Sequence, residues 1–125
     1  MKRILVAEDD APSRELVKDI LEAEGYEVIE AADGGEALAK IKQTVPDLAI
    51  LDIRMPVLGG FAVLEHVRRE HSLSHLRVIA VTAFGMEQDR VRILAAGFDA
   101  HVSKPVDEAT LTAQIRALLY PRDAR

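Results

Sequence analysis

An open, doubly wound α/β fold is predicted by three features of this 125-residue chain. Short apolar runs alternate five times with longer amphipathic segments. The runs are continuous in Val, Ile, Leu and Ala, as strands are when crossover helices cover both faces of a parallel sheet. No low-complexity stretch or linker interrupts the pattern before the end. Five strands are too few for an eight-stranded barrel, so the sheet stays open, with functional groups expected at the carboxyl ends of its strands.

Each element has its own signal. Residues 3–7 (RILVA) read as a buried strand. Over 12–24, Leu16, Val17, Ile20 and Leu21 recur at helical spacing, with Pro12 in the first turn, where its missing N–H is harmless, and Gly25 just past the end. Residues 26–31 (YEVIEA) alternate like a strand with one wetter face, and 34–43, with Ala37, Leu38 and Ile41, read as a second helix. There follow a strand at 48–51 (LAIL), a helix at 61–70, a strand at 78–81 (VIAV), a helix at 86–96, a short strand at 100–102 and a last helix at 107–119.

Composition narrows the function. An apolar fraction of 49% with 30% charged residues suits one soluble globular domain. A net charge of −5 argues against nucleic-acid binding through bulk charge. The chain has no cysteine, which removes disulfides, thiolate zinc sites and thiol nucleophiles. Its apolar runs fall far short of the roughly 20 residues of a membrane span, and the apolar stretch after Lys2 and Arg3 is too short for a signal peptide, so a cytoplasmic protein is expected.

The strand ends carry the chemistry. Glu8, Asp9 and Asp10 follow the first strand, Asp52 the third, Thr82 the fourth and Lys104 the fifth. In this fold they converge at one rim. Two like charges at 4 Å repel by roughly 4 kcal/mol at an effective dielectric near 20, so clustered carboxylates call for a cation. Oxygen ligands without His or Cys favour magnesium, which takes one or two protein carboxylates and leaves positions for water and phosphoryl oxygens. Thr82 can donate to a phosphoryl oxygen, Lys104 can pair with one, and Asp52 can act as the nucleophile that becomes an aspartyl phosphate.

These residues resemble the receiver domains of two-component response regulators, flavodoxin-like (βα)5 proteins typified by the chemotaxis response regulator. The resemblance runs from ILVAEDDAPSR through PDLAILDIRMP and VIAVTAF to AAGFDAHVSKP. Spacings of 43, 30 and 22 residues from Asp9 to Asp52, Thr82 and Lys104 in turn match the family. It implies a sheet in the order 2-1-3-4-5 with helices on both faces, a receiver domain over 1–120 and a short tail at 121–125. Asp52 would accept a phosphoryl group from a phosphohistidine on a sensor histidine kinase or histidine phosphotransfer protein. Asp9 and Asp52 would ligate Mg2+ directly, Glu8 through water, and Arg54 by its backbone carbonyl. Thr82, the Ala83 backbone and Lys104 would hold the phosphoryl group, and the Lys104-Pro105 bond would be cis, as about one X-Pro bond in twenty is. The fourth helix, fifth strand and last helix would form the face for a downstream protein. The chain would be a phosphoacceptor with autodephosphorylation, not an enzyme with turnover, and would bind neither nucleic acid nor membrane.

Four positions depart from the family pattern. His101 stands where Tyr or Phe usually switches rotamer; either it packs half-buried beside the last helix or it switches in another way. Gly59-Gly60 replaces a more usual Asp-Gly, removing a cap for the third helix. Arg54 and Phe84 flank the phosphate, where they would modulate its hydrolysis. Simpler readings suffice elsewhere: Asp10 caps the first helix, Phe98 and Met86 pack, and His66, His71 and His75 are solvated surface. Arg68, Arg69, Arg90 and Arg92 read as solvated helix faces. A magnesium phosphatase of the haloacid dehalogenase type is the alternative enzyme, but it wants a second Asp where Arg54 stands. TAFGMEQDR with AAGFDAHVSKPVD looks most like single-domain receivers and those of hybrid histidine kinases, from which this domain could be excised.

Overall fold

The computed structural model describes residues 1–83 and 89–121, so the expectations resting on Phe84, Met86 and 122–125 lie outside the described residues. The apolar runs become β1 (Arg3–Ala7), β2 (Glu27–Ala31), β3 (Leu48–Asp52), β4 (Arg77–Thr82) and β5 (Ala100–Ser103), all parallel. Their order is β2-β1-β3-β4-β5, the flavodoxin-like (βα)5 arrangement. The amphipathic segments become α1 (Ala11–Ala23), α2 (Gly34–Thr44), α3 (Gly60–Arg69), α4 (Asp89–Ala96) and α5 (Glu108–Leu119).

Strand residues alternate between faces, and here both faces are dry. Ile4, Val6, Leu48, Ile50, Ile79 and Val81 pack with Val17, Leu21, Leu111 and Ile115 from α1 and α5. Leu5, Leu51, Val78 and Ala80 pack with Ile41, Val63, Leu64 and Ile93 from α2, α3 and α4. This two-sided burial explains the unbroken apolar runs. Each fully buried Leu, Ile or Val contributes about 1.5–3 kcal/mol against exposure. Among the described residues, no helix is long and apolar enough to cross a membrane.

Side chains punctuate the helices. Asp10 caps α1 by accepting from the Ser13 N–H at 3.1 Å, Asp33 caps α2 from Glu36 at 2.7 Å, and Asp107 caps α5 from Thr110 at 2.8 Å. Gly59, at the corresponding place before α3, makes no side-chain cap. Gly25, with φ of 90°, closes α1: its N–H bonds Glu22 O and the Tyr26 N–H bonds Leu21 O. This paired pattern absorbs Tyr26 into the helix terminus, so β2 starts one residue later than its alternation predicts. Other expected boundaries among the described residues shift by at most one residue. Asp52 and Thr82 are the last residues of their strands instead of following them, and the described part of the fourth helix begins at Asp89.

Arg68 departs from the solvated face expected of it. Its guanidinium donates to the carbonyls of Ser74 (3.2 Å), Leu76 (2.6 Å) and Gly97 (2.8 Å) and to Asp99 Oδ2 (3.1 Å). Asp99 Oδ2 also accepts the Val78 N–H at 2.8 Å. The fork ties together the loops entering β4 and β5, including the short 3-10 turn His71–Leu73, which has no sequence signal of its own. Arg69 behaves as expected, exposed and paired with Glu65 on its own helix.

Two outcomes follow. Arg68→Ala should cost about 2 kcal/mol in urea denaturation, because it strands several carbonyls and the Asp99 carboxylate, whereas Arg69→Ala should cost about 0.5 kcal/mol or less. Hydrogen bonds from the hydroxyl and N–H of Thr110 hold the Asp107 carboxyl below its ordinary value of 3.8, and Ser13 does the same for Asp10. A depressed carboxyl contributes stability above its ordinary pKa that is lost as pH falls through the folded value. Asp107→Ala should therefore melt earlier than the unchanged protein at neutral pH, with the gap closing below pH 3.8.

Candidate functional site

Parallel pairing brings the strand ends out side by side. Ala7 lies opposite both Ala31 and Leu51, Asp52 opposite Val81, and Thr82 opposite Ser103. Glu8, Asp9 and Asp52 consequently meet, with one carboxylate oxygen of each within 4.8 Å of the others. Among the described residues, this is the only group of three or more candidate metal ligands. His66, His71 and His75 are all exposed and belong to no such group.

Glu8, Asp52 and Thr82 are buried, at 6%, 6% and 5% exposure. Lys104 Nζ lies 2.8 Å from Asp52 Oδ2 and 2.8 Å from Glu8 Oε1, so one ammonium bridges carboxylates from two central strands. The Lys104-Pro105 bond is cis, and the Lys104 N–H donates to Thr82 O at 2.8 Å. The remaining oxygens of both carboxylates are also held: Arg54 N–H donates to Asp52 Oδ1 at 3.0 Å, and Asp10 N–H to Glu8 Oε2 at 3.1 Å. Arg54 itself is exposed at the rim.

Burial and pairing pull against each other here. For Glu8, burial wins: it pushes the carboxyl above its ordinary value, the Lys104 hydrogen bond opposes it, and nearby Asp52 adds to the rise. For Lys104, burial opposes the charged form, but hydrogen bonds to Asp52 and Glu8 together outweigh it and hold the ammonium above its ordinary value.

Two cavities open on this rim. One, of about 300 Å³, is lined by Glu8, Asp9, Asp52, Thr82, Lys104 and Phe61, among others. Phe61 stands edge-on to Phe98 (centroids 5.7 Å apart), with the Arg92 guanidinium 4.4 Å from its ring centroid. This aromatic wall has no counterpart among the sequence expectations, which left Phe61 as a helix residue and Arg92 as solvated. The second cavity, of about 400 Å³, lies on the α1 side, lined by Leu16, Val17, Pro105 and Val106 and reaching Asp52 and Lys104. His101 sits half-buried on β5 opposite Ala80, away from both linings.

Sequence reasoning also missed Arg14. Its Nη1 donates to the Glu8 carbonyl at 2.8 Å. The available signal was its place one turn after Asp10, on a helix that starts at the acidic cluster.

The residues fit a divalent cation: hard, partly buried carboxylate oxygens converge, and His and Cys are absent from the group. A family model described as the response regulator receiver domain matches residues 4–116. The chain belongs to that family. It is 39% identical over 118 residues to the phosphate regulon transcriptional regulatory protein PhoB of Escherichia coli, covering 94% of this chain and 52% of PhoB. It therefore spans about half the length of that relative. It is 36% identical over 118 residues to the polar-differentiation response regulator DivK of Brucella ovis, covering 94% of this chain and 96% of DivK. Among solved structures, it matches the receiver domain of a sensor histidine kinase of Pseudomonas aeruginosa with a TM-score of 0.87 and 28% identity, covering 94% and 97% of the two chains. That receiver has a magnesium ion coordinated in its active site cleft.

Lys104→Ala leaves two buried carboxylates facing each other. It should lower stability by about 2 kcal/mol at neutral pH, measured by urea denaturation without divalent cations. Because the carboxyl of Glu8 is already raised, protonation relieves the repulsion, so the deficit should shrink as pH falls through the raised value.

Proposed function

We propose that the protein is a signalling receiver in which Asp52 accepts a phosphoryl group from a phosphohistidine on a sensor histidine kinase or histidine phosphotransfer protein. The observation that carries this reading is Lys104 seated 2.8 Å from Asp52, beside two further carboxylates. Asp52 is held for in-line attack by the Arg54 N–H on one oxygen and Lys104 on the other. As an Asp52 oxygen bonds to phosphorus, the N–P bond breaks and the imidazole leaves with its electron pair. Magnesium, bound by Asp9, Asp52, the Arg54 carbonyl and Glu8 through water, would supply positive charge against the phosphoryl oxygens.

Lys104 then pairs with the phosphoryl group, while Thr82 and the Ala83 N–H donate to its other oxygens. Thr82 ends β4, so movement there bears on α4, β5 and α5, which form the surface for a downstream protein; His101 on β5 is the switch position. Arg54 and Phe84 modulate access of water to the phosphoryl group. The cavity against α1, with exposed Leu16 on its rim, gives a donor protein an apolar foothold beside Asp52. The protein works in the cytoplasm as a phosphoacceptor and does not turn over substrates.

Incubation with a small-molecule phosphodonor and magnesium should add one phosphoryl group by mass, stable in acid and labile in base. Asp52→Asn should abolish it, and so should chelation of the metal. Unchanged labelling of the variant would refute Asp52 as acceptor, and multiple turnover on a phosphate ester would favour a haloacid dehalogenase-type phosphatase.

A further inference from the structure

Arg14 lies in the second turn of α1 with its side chain turned back onto the end of β1. Nη1 donates to the Glu8 carbonyl at 2.8 Å, and Nε donates to Glu30 Oε1 on β2 at 3.1 Å. Glu30 is anchored in turn: its other oxygen is 3.3 Å from Lys18 Nζ, and its carbonyl accepts from Lys40 Nζ at 2.6 Å. The Glu8 carbonyl belongs to the peptide joining Glu8 to Asp9, the two residues whose carboxylates meet Asp52. Glu8 stands one residue past β1; its N–H still reaches Ala31 O, and the guanidinium supplies a donor to its carbonyl.

We propose that Arg14 is a positioning residue for the cation site, fixing the plane of the Glu8–Asp9 peptide and with it the direction in which both carboxylates leave the backbone. This rests on the reading of Glu8, Asp9 and Asp52 as the magnesium site. Both bonds come from one planar fork, so an ammonium cannot replace it. Charge and geometry make opposite demands. A guanidinium near the cluster repels a cation, so its removal tightens binding if charge is what matters and loosens it if orientation does.

The test is calorimetric titration of magnesium chloride into the unphosphorylated protein, alongside urea denaturation without metal. Arg14→Ala should weaken magnesium binding by about tenfold, as loss of outer partners does at other metal sites. Arg14→Lys keeps the charge and should still weaken binding by about threefold or more, since one bond of the fork is lost. A merely structural role would lower stability in urea and leave the affinity of the folded protein unchanged. Affinity equal to or tighter than that of the unchanged protein in Arg14→Ala, or full affinity in Arg14→Lys, overturns the proposal. If the unchanged protein binds no magnesium, the reading of the acidic cluster as a cation site falls, and the role of Arg14 falls with it.

Discussion

Two carboxylates, Glu8 and Asp52, are buried at the ends of neighbouring strands, and one ammonium, from Lys104, reaches both. An ionised carboxylate taken out of water is costly unless it is paired and hydrogen-bonded. Each is satisfied here by Lys104 and one backbone N–H, and among the described residues no buried side-chain polar atom lacks a partner. The sheet order makes this possible. β1 and β3 are adjacent at its centre, and Lys104 follows β5 at the edge, two strands from β3.

The opposite rim is organised by the same physics with the signs arranged differently. There an arginine, Arg68, gathers carbonyls from three residues and one carboxylate, and so secures the loops that feed β4 and β5. Those strands carry Thr82 and lead to Lys104. Between the two rims, Arg92 of α4 lies over Phe61 of α3, which in turn meets Phe98 in the loop before β5, so α4, part of the proposed downstream face, touches the wall of the acidic cleft.

Much of this was legible in the chain itself. The alternation of buried runs and amphipathic segments gave the layer architecture, because a strand dry on both faces leaves a local signature. Asp10 could be read as a cap from its place before Ala11-Pro12, while Asp33 and Asp107, which cap through the same three-residue span, have no counterpart among the sequence expectations. Glu8, Asp9, Asp52, Thr82 and Lys104 could be placed at one rim from strand ends alone. Arg68 could not be assigned, since its partners are mostly backbone carbonyls, which every residue has and no side-chain pattern reveals; Arg14 offered only its place one turn after Asp10, which names neither the Glu8 carbonyl nor Glu30 as its partner. Tyr26 was misplaced for a related reason: its backbone N–H belongs to the end of α1, while its side chain resembles a strand residue. The aromatic wall depends on how two helices face each other, which periodicity within either one does not contain.

The bridge between Lys104 and its two partners also joins distant parts of the chain. Lys104 is 52 residues from Asp52 and farther still from Glu8, so its arrival closes a long loop, and long loops close late. β1 pairs directly with both β2 and β3, so that half of the sheet can assemble first, with Glu8, Asp9 and Asp52 already gathered and Lys104 not yet beside them. The charge balance of that end of the sheet therefore depends on a residue drawn from the far part of the chain: without Lys104, Glu8 and Asp52 have no ammonium between them.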